Sequence, residues 1–526
     1  MSNSRIGRLC RRFLILSLAI IPLAACSRNG ETIATDGNDT NQSDHPGEVK
    51  LVGYLIGEAP KGMPAVLDAI NAKLKKDINA TIELNYIGWN NLTSKYPTML
   101  SNGENIDFVF AADWNDYVTQ AARGAFYPLS YEMLSKHMPR HMEKLPREAI
   151  EAAKVGGIPY MIPTASPDRK VMLALFRKDI MAESGMTEIR KFSDIEPYLA
   201  TVKNDHPGMI PLNLDSQKDL PLPYMFLLNE KIAWPGAPFD SGDPLAQGIV
   251  ADMEDASGVL KSAVDEPFLD VQKYAARKMK SWYDAGFINK NPFANDTPSK
   301  DNFCNGESGI AFGNSIDTVP IFSTCKEKGI DVYPFPLLTP SGKASQSSWL
   351  VNGVAIPANS KHPERTLEAL DLIMEDPSYA YLAYYGIEGQ NYVITGNGEI
   401  GLPAGVTSES NTYPPDASGF WFVNKALFSP METWTREYVE LQGKIDSYLV
   451  NMPYTGFTFN SQNYESEVAS LKSISTQYAQ PIYIGAVHDV DAAFDALTAK
   501  LNGAGIEKVK TEVQKQGSAY LKNKTK

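Results

Sequence analysis

The chain has 526 residues, with 49 Lys and Arg against 62 Asp and Glu and a net charge of −13 at pH 7. Such an acidic balance excludes nucleic acid as a partner, because phosphate binding depends on clustered Lys and Arg, and it disfavours spreading over an anionic lipid surface. No metal motif is present: His137 and His141 are four apart, but Pro139 lies between them and no Glu fills the zincin position.

Arg5, Arg8, Arg11 and Arg12 open the chain, an apolar run from Phe13 to Ile21 follows, and Leu23-Ala24-Ala25-Cys26 closes it. A basic opening, a short apolar core and small residues before a cut site describe a secretion signal over 1–25. The run is shorter than the roughly 20 residues of a membrane span. Arg11-Arg12 lacks twin-arginine spacing, so the general secretion route is expected. The Leu-Ala-Ala-Cys ending resembles the bacterial lipobox, which implies cleavage before Cys26 and a lipid on its sulfur. Two acyl chains suit a stable anchor, each buried methylene contributing roughly 0.8 kcal/mol. Removing 1–25 takes four arginines and no acid, so the net charge moves from −13 to −17. Cys10 leaves with the signal and Cys26 takes the lipid. Cys304 and Cys325 remain, an even pair in an oxidising compartment, and a bridge is expected over two buried thiols.

Residues 26–47 are polar and read as a disordered tether. Val49 to Ile56 reads as a buried strand, and Val66, Leu67, Ile70, Leu74 and Ile78 fall at helical spacing. Ile82, Leu84 and Tyr86 alternate with polar neighbours as in a strand; a short helical stretch near Tyr96 leads to a strand at Phe108-Val109-Phe110. The order β-α-β-α-β predicts a parallel sheet covered by helices. Ligands of such sheets bind beyond the carboxyl ends of the strands, where Trp89, Asp113 and Trp114 fall. Ile158 to Pro163 is Pro-stiffened and runs into a strand at Val171 to Phe176, which suits a crossing between lobes. A helix over Val271 to Ala285, a strand at Ile310-Ala311-Phe312 and a second crossing at Trp349 to Pro357 follow, then a helix on Leu367, Leu370 and Ile373. The last quarter predicts helices near Val468 to Tyr478, Val490 to Leu501 and Glu507 to Leu521.

Several stretches together resemble the family 1 extracellular solute-binding proteins of the maltose-binding type. They are Ile106 to Phe110 with the acidic-aromatic pair after it, Gly124 to Leu129, Gly157 to Tyr160 leading to Phe176-Arg177-Lys178-Asp179, Asn305 to Phe312, and Val354 to Pro357. Gly386 to Tyr392, Gly456 to Asn460 and Leu501 to Val509 are similar to large Gram-positive lipoproteins of this type, which carry a carboxyl-terminal region of unassigned function. The resemblance implies an α/β, two-lobe, type II binding-protein fold. Each lobe is expected to be a mostly parallel sheet flanked by helices, with extra C-terminal helices. The expected segments are 48–163 for lobe 1, 164–352 for lobe 2, 353–400 returning to lobe 1, and 401–526 completing lobe 2 with the C-terminal helices. It also implies a monomer with a small ligand in the cleft, an ABC permease with its ATPase as partner, no cofactor, and a lipid-anchored place on the outer face of the cell membrane.

A sugar presents an apolar C–H face and a rim of hydroxyls. Flat aromatic rings cover the face and carboxylates or amides hold the rim. Pairs of that kind, near expected strand ends and in the later motifs, give the candidate ligand-binding residues Trp89, Asp113, Trp114, Tyr160, Asn314, Trp349, Asn352, Glu388, Tyr392 and Trp421. Trp282 and Trp434 read as packing residues, and Trp234 as either. Three other readings compete, a structural surface adhesin among them. A glycoside-active surface enzyme would need two facing carboxylates about 5–9.5 Å apart, and no G-x-S-x-G elbow or Walker loop is present. A binder of peptides or other polar solutes would keep the fold and change the cleft. The expected reading is a binding protein, not an enzyme.

Overall fold

The structure is a computed structural model that describes residues 47–216, 218–232, 249–252, 254–255, 257–262, 264–455 and 457–524. The expected signal, Cys26, most of the tether and Trp234 lie outside them. Among the described residues no helix is long and apolar enough to cross a membrane.

The first lobe starts with β1 (Val49–Ile56), α1 (Met63–Ile78), β2 (Ala80–Ile87), α2 (Leu92–Ser101) and β3 (Phe108–Ala111). α1 forms because Val66, Ile70, Leu74 and Ile78 recur every fourth residue, and all four are buried against the sheet and its neighbours. Lys75 and Lys76 offset the dipole in its last turn. Asn79 then ends it in the left-handed region at φ 51°. β1 pairs parallel with β2, from Val49 opposite Ala80 to Ile56 opposite Ile87, and parallel with β3 on its other edge.

Two further strands complete this sheet. Gly353–Ala355 lies antiparallel to β3, and Ile162–Pro163 lies antiparallel to Gly353–Ala355. The crossing chain enters at the carboxyl ends of the parallel strands, with Gly353 opposite Ala111, so it can only run back against them. Gly353 is required at this crossing, since a Cβ there would stand 2.5 Å from the Ile162 carbonyl oxygen.

The second lobe departs from the expected parallel sheet. Its strand Met172–Arg177 sits between Ile310–Asn314 and Val332–Pro336, and both neighbours are antiparallel to it. The central strand leads away from the crossing, whereas its neighbours bring the chain back, with Asn314 opposite Met172 and Pro336 opposite Leu173. Alternation then gives the sheet two buried faces. Leu173 and Leu175 join a cluster with Phe322, Tyr438 and the bridged Cys304–Cys325. Ala174 and Phe176 join the larger core with Phe192, Phe312 and Trp282. Trp282 is fully buried and its indole N–H donates to Glu196 at 2.9 Å.

The return segment does not stop at residue 400 as expected. Tyr413, Phe420, Phe422 and Val423 are buried in the first lobe's core. Trp434 packs edge-on against Tyr438 of helix Arg436–Tyr448, 4.9 Å between ring centres. The C-terminal helices Glu465–Ile474, Val490–Gly503 and Ile506–Lys524 contribute Leu471, Phe494, Leu497, Val509 and Val513 to the second lobe's core. Gly485 lies so close to helix Phe268–Asp284 that a Cβ there would meet the Lys280 backbone at 2.5 Å.

Candidate functional site

β2 and β3 each end in a short 3-10 turn, Trp89–Asn91 and Asp113–Asn115, and the two turns present tryptophans on the same side of the sheet. Trp89 stacks on Trp114 at 6.0 Å and 28°, and on Trp421 from the return segment at 5.6 Å and 24°. Phe110 lies against both Trp114 and Trp421, at 5.6 and 5.3 Å. Three tryptophans far apart in sequence therefore make one aromatic surface, and Trp89 remains 39% exposed.

The indole N–H groups of two members are already used. Trp114 donates to the Val351 carbonyl at 2.7 Å, and Trp421 donates to the Asp416 carbonyl at 2.7 Å. What these two can offer a ligand is their ring faces. Asp113 is likewise committed within the protein. One carboxylate oxygen accepts from the Trp114 backbone N–H at 2.8 Å and the other from the Ser348 hydroxyl. Its own N–H donates to the Leu350 carbonyl at 2.8 Å. Burial raises the Asp113 carboxyl pKa, against the pull of the Ser348 and Trp114 hydrogen bonds. The turn that carries Trp114 is thus sewn to the crossing segment Ser348–Val351. Nearby in sequence, Asn115 Nδ2 and Gln120 Nε2 are buried without a hydrogen-bond partner, and buried donors of this kind call for a water or ligand acceptor.

The second lobe faces this surface with charge. Lys218 places Nζ 4.6 Å from the Trp89 ring centre. Burial lowers the Lys218 pKa, and Lys300 adds to the effect. Asp215, fully buried, accepts from the backbone N–H of Lys218 at 3.0 Å and of Asp219 at 2.6 Å. Asp219 accepts from the Ser299 N–H at 2.6 Å; burial, with Asp215 beside it, pushes its pKa up to about 7. Lys300 pairs with Asp317 at 3.5 Å. From the first lobe, Asp416 stands at φ 68°, its pKa pushed up to about 6 by burial, with Asp317 and Asp168 raising it further against Lys425.

A cavity of 320 Å³ opens between the crossings, bordered by Asp168, Asp416, Tyr384, Phe428, Trp434 and Gln442. Trp434 Nε1, a lining donor, is buried and unpartnered. On its hinge side Asp168 accepts from Lys425 at 2.7 Å, Asn352 at 2.8 Å and Lys170 at 3.1 Å. Burial alone would raise Asp168; the two lysines hold it well below the usual carboxylate range.

The structure brings Trp89, Trp114, Trp421 and Asp113 together and sets the other candidates elsewhere. Asn352 is buried and tied to Asp168 at the hinge. Asn314 caps its own turn, its side-chain oxygen accepting from Ile316 N–H at 2.9 Å and Asp317 N–H at 3.1 Å. Trp349 packs on Leu145, Ala149 and Ile150. Tyr160 packs on the first lobe's core, and its N–H donates to the Tyr117 hydroxyl at 3.2 Å. Tyr392 sits among Tyr381 and Tyr385, at 5.8 and 5.6 Å, and Glu388 is exposed on the loop before it. Lys218, Lys300 and Asp416 were not anticipated: each lies in a loop or a short helix with no periodic signal.

Comparison with known proteins agrees with the two lobes. Residues 69–407 match the family model described as bacterial extracellular solute-binding protein. Residues 453–522 match a domain of unknown function. A carbohydrate ABC transporter substrate-binding protein of Streptococcus pneumoniae is 26% identical over 526 residues, covering 98% of this chain and 99% of that protein. Among solved structures, the N-glycan transport solute binding protein of Streptococcus pneumoniae superposes with a TM-score of 0.72 at 23% identity, covering 91% of this chain and 100% of that one. Its complex with Man5GlcNAc gives 0.69 at 22% identity, covering 91% and 99%. The alginate-binding protein AlgQ2 without calcium gives 0.65 at 17% identity, covering 90% and 99%.

Proposed function

The chain belongs to the bacterial extracellular solute-binding protein family, and from that premise we propose that it captures a carbohydrate, in particular an oligosaccharide, and delivers it to an ABC importer. The observation that carries this reading is the Trp89–Trp114–Trp421 surface at the strand ends, faced from the other lobe by Lys218. Ring faces, two of them with the indole donor already used within the protein, suit the C–H face of a pyranose. The buried unpartnered donors and the nearby carboxylates suit its hydroxyls. The glycan and alginate binders among its structural neighbours, and its carbohydrate-transport relative, support the same class of ligand. Closure between lobes would exclude water from the stacked ring and select the liganded state. Capture here proceeds without turnover, by a monomer held at the outer face of the membrane through a lipid on Cys26.

A thermal-shift screen tests the reading. The panel holds neutral oligosaccharides, Man5GlcNAc among them, together with uronate oligomers and short peptides. A true ligand at 100 times its Kd adds about 2.7 kcal/mol of stability. Stabilisation by a saccharide, recovered unchanged by chromatography, supports capture. Stabilisation by peptides alone moves the function to another solute class, and a shortened saccharide moves it to hydrolysis.

A further inference from the structure

The C-terminal region shares the second lobe's core, so it moves as part of that lobe. Asp491 ties it on the outside as well, pairing with Lys273 at 2.8 Å and Arg277 at 3.0 Å. From this body a turn reaches back to the first lobe. The turn is held by the last helix: the Asn460 N–H donates to Gln516 Oε1 at 3.0 Å, and the Asn460 carbonyl accepts from Gln516 Nε2 at 3.2 Å. Ser461 then places its hydroxyl 3.4 Å from that of Thr119. Glu465, in the first turn of the next helix, pairs with Arg123.

The receiving residues sit close to the aromatic surface. Thr119 and Arg123 belong to helix Tyr117–Ala122 and its cap, which follow directly on the turn that carries Trp114. We propose that the C-terminal region is the second lobe's latch: Ser461 and Glu465 engage Thr119 and Arg123 when the lobes close and release them when they open. This rests on the reading of the chain as a hinge-closing binder.

The Arg123 and Glu465 side chains are 37% and 47% exposed. An exposed pair of this kind contributes little to the stability of a fold. Placed between two bodies that separate, its energy goes into the open–closed equilibrium instead. The closed fraction enters the apparent dissociation constant directly, so a weak contact here adjusts capture without touching the ligand.

The test reads lobe geometry with no ligand present. Spin labels at exposed positions in each lobe, Lys76→Cys and Glu188→Cys, report the interlobe distance in the protein with its native bridge intact. Arg123→Glu should lower the closed-to-open ratio about two- to five-fold, and the reciprocal variant Arg123→Glu with Glu465→Arg should restore it. As a second check, Thr119→Cys with Ser461→Cys should bridge on mild oxidation and lock the short distance. An unchanged distribution in Arg123→Glu, no recovery in the reciprocal variant, or no bridge in the folded double-cysteine protein overturns the latch. Any of these results leaves binding at the tryptophan surface intact, so the latch and the ligand reading fail separately.

Discussion

The ammonium of Lys218 stands 4.6 Å from the centre of the Trp89 ring, a contact made from one lobe to the other. A desolvated cation over an indole contributes about 0.5–2 kcal/mol, and this cation is one whose pKa burial already lowers. Lys218→Gln should free Trp89 and raise its accessibility to iodide. Fluorescence quenching of the ligand-free protein measures it; identical quenching in variant and wild type would show that the contact does not hold the ring.

The aromatic surface should carry ligand affinity. Trp421→Ala and Trp114→Ala each remove a stacking face and should cost about 1–3 kcal/mol, by analogy with other aromatic stacking, or roughly 5- to 150-fold in Kd. Trp421→Phe should fall between, since it keeps a face and loses the donor to Asp416. Calorimetry with the saccharide identified in the screen decides this, and wild-type affinity in all three folded variants rejects the site.

Asp113 should behave differently from Trp114. Both of its oxygens are occupied by Ser348 and the Trp114 N–H, so Asp113→Ala strips two half-buried donors of their acceptor. A loss of about 1–3 kcal/mol in folding stability is expected, measured by urea unfolding, with any effect on affinity following from a displaced Trp114.

Asp168→Ala should be the most damaging change at the hinge, because it takes from half-buried Lys425 its ion-pair partner and leaves it only the field of Asp416, at about 3 kcal/mol. The Asp168 carboxyl is depressed in the folded state. Its contribution is therefore complete above the unfolded value near pH 4 and fades as pH falls through the lower folded value. Unfolding curves from pH 7 to pH 3 should show wild type and variant converging in acid; a constant gap contradicts the ion cluster.

Asp219 has the opposite sign. Its pKa is raised from 3.8 to about 7 on folding, so its stabilising contribution is whole below about pH 4 and lost as pH rises through about 7. Asp219→Asn, which does not titrate, should match wild type near pH 4 and exceed it above pH 7 by on the order of 4 kcal/mol. Calorimetric melting across this range tests the sign, and a difference that shrinks with rising pH refutes it.

How much was legible in the sequence follows from which signals are periodic. The strand–helix alternation from Val49 to Phe110 fixes the first lobe's parallel strands, and the rule for open α/β sheets then leads to Trp89, Asp113 and Trp114. The second lobe's antiparallel sheet was hidden, because the direction of Ile310–Asn314 depends on where the chain must return, and no local pattern records that. Trp349 and Trp421 are both candidates in the sequence. Packing separates them: one lies on Leu145 and Ile150, the other against Phe110. Lys218 and Asp416 gave no signal, since a single charged residue in a loop looks the same whether it faces solvent or a cleft.

The extended return segment has a consequence for how the molecule is made. The first lobe opens with the strand at Val49, yet its core closes only with Phe420, Phe422 and Val423. The second lobe's core waits in turn for Val509 and Val513. Contacts of such long sequence separation form slowly, so a chain emerging from the ribosome cannot finish either lobe before nearly all of it is available. Each lobe's core is thus complete only when residues far along the chain have been made, Val423 for the first and Val513 for the second.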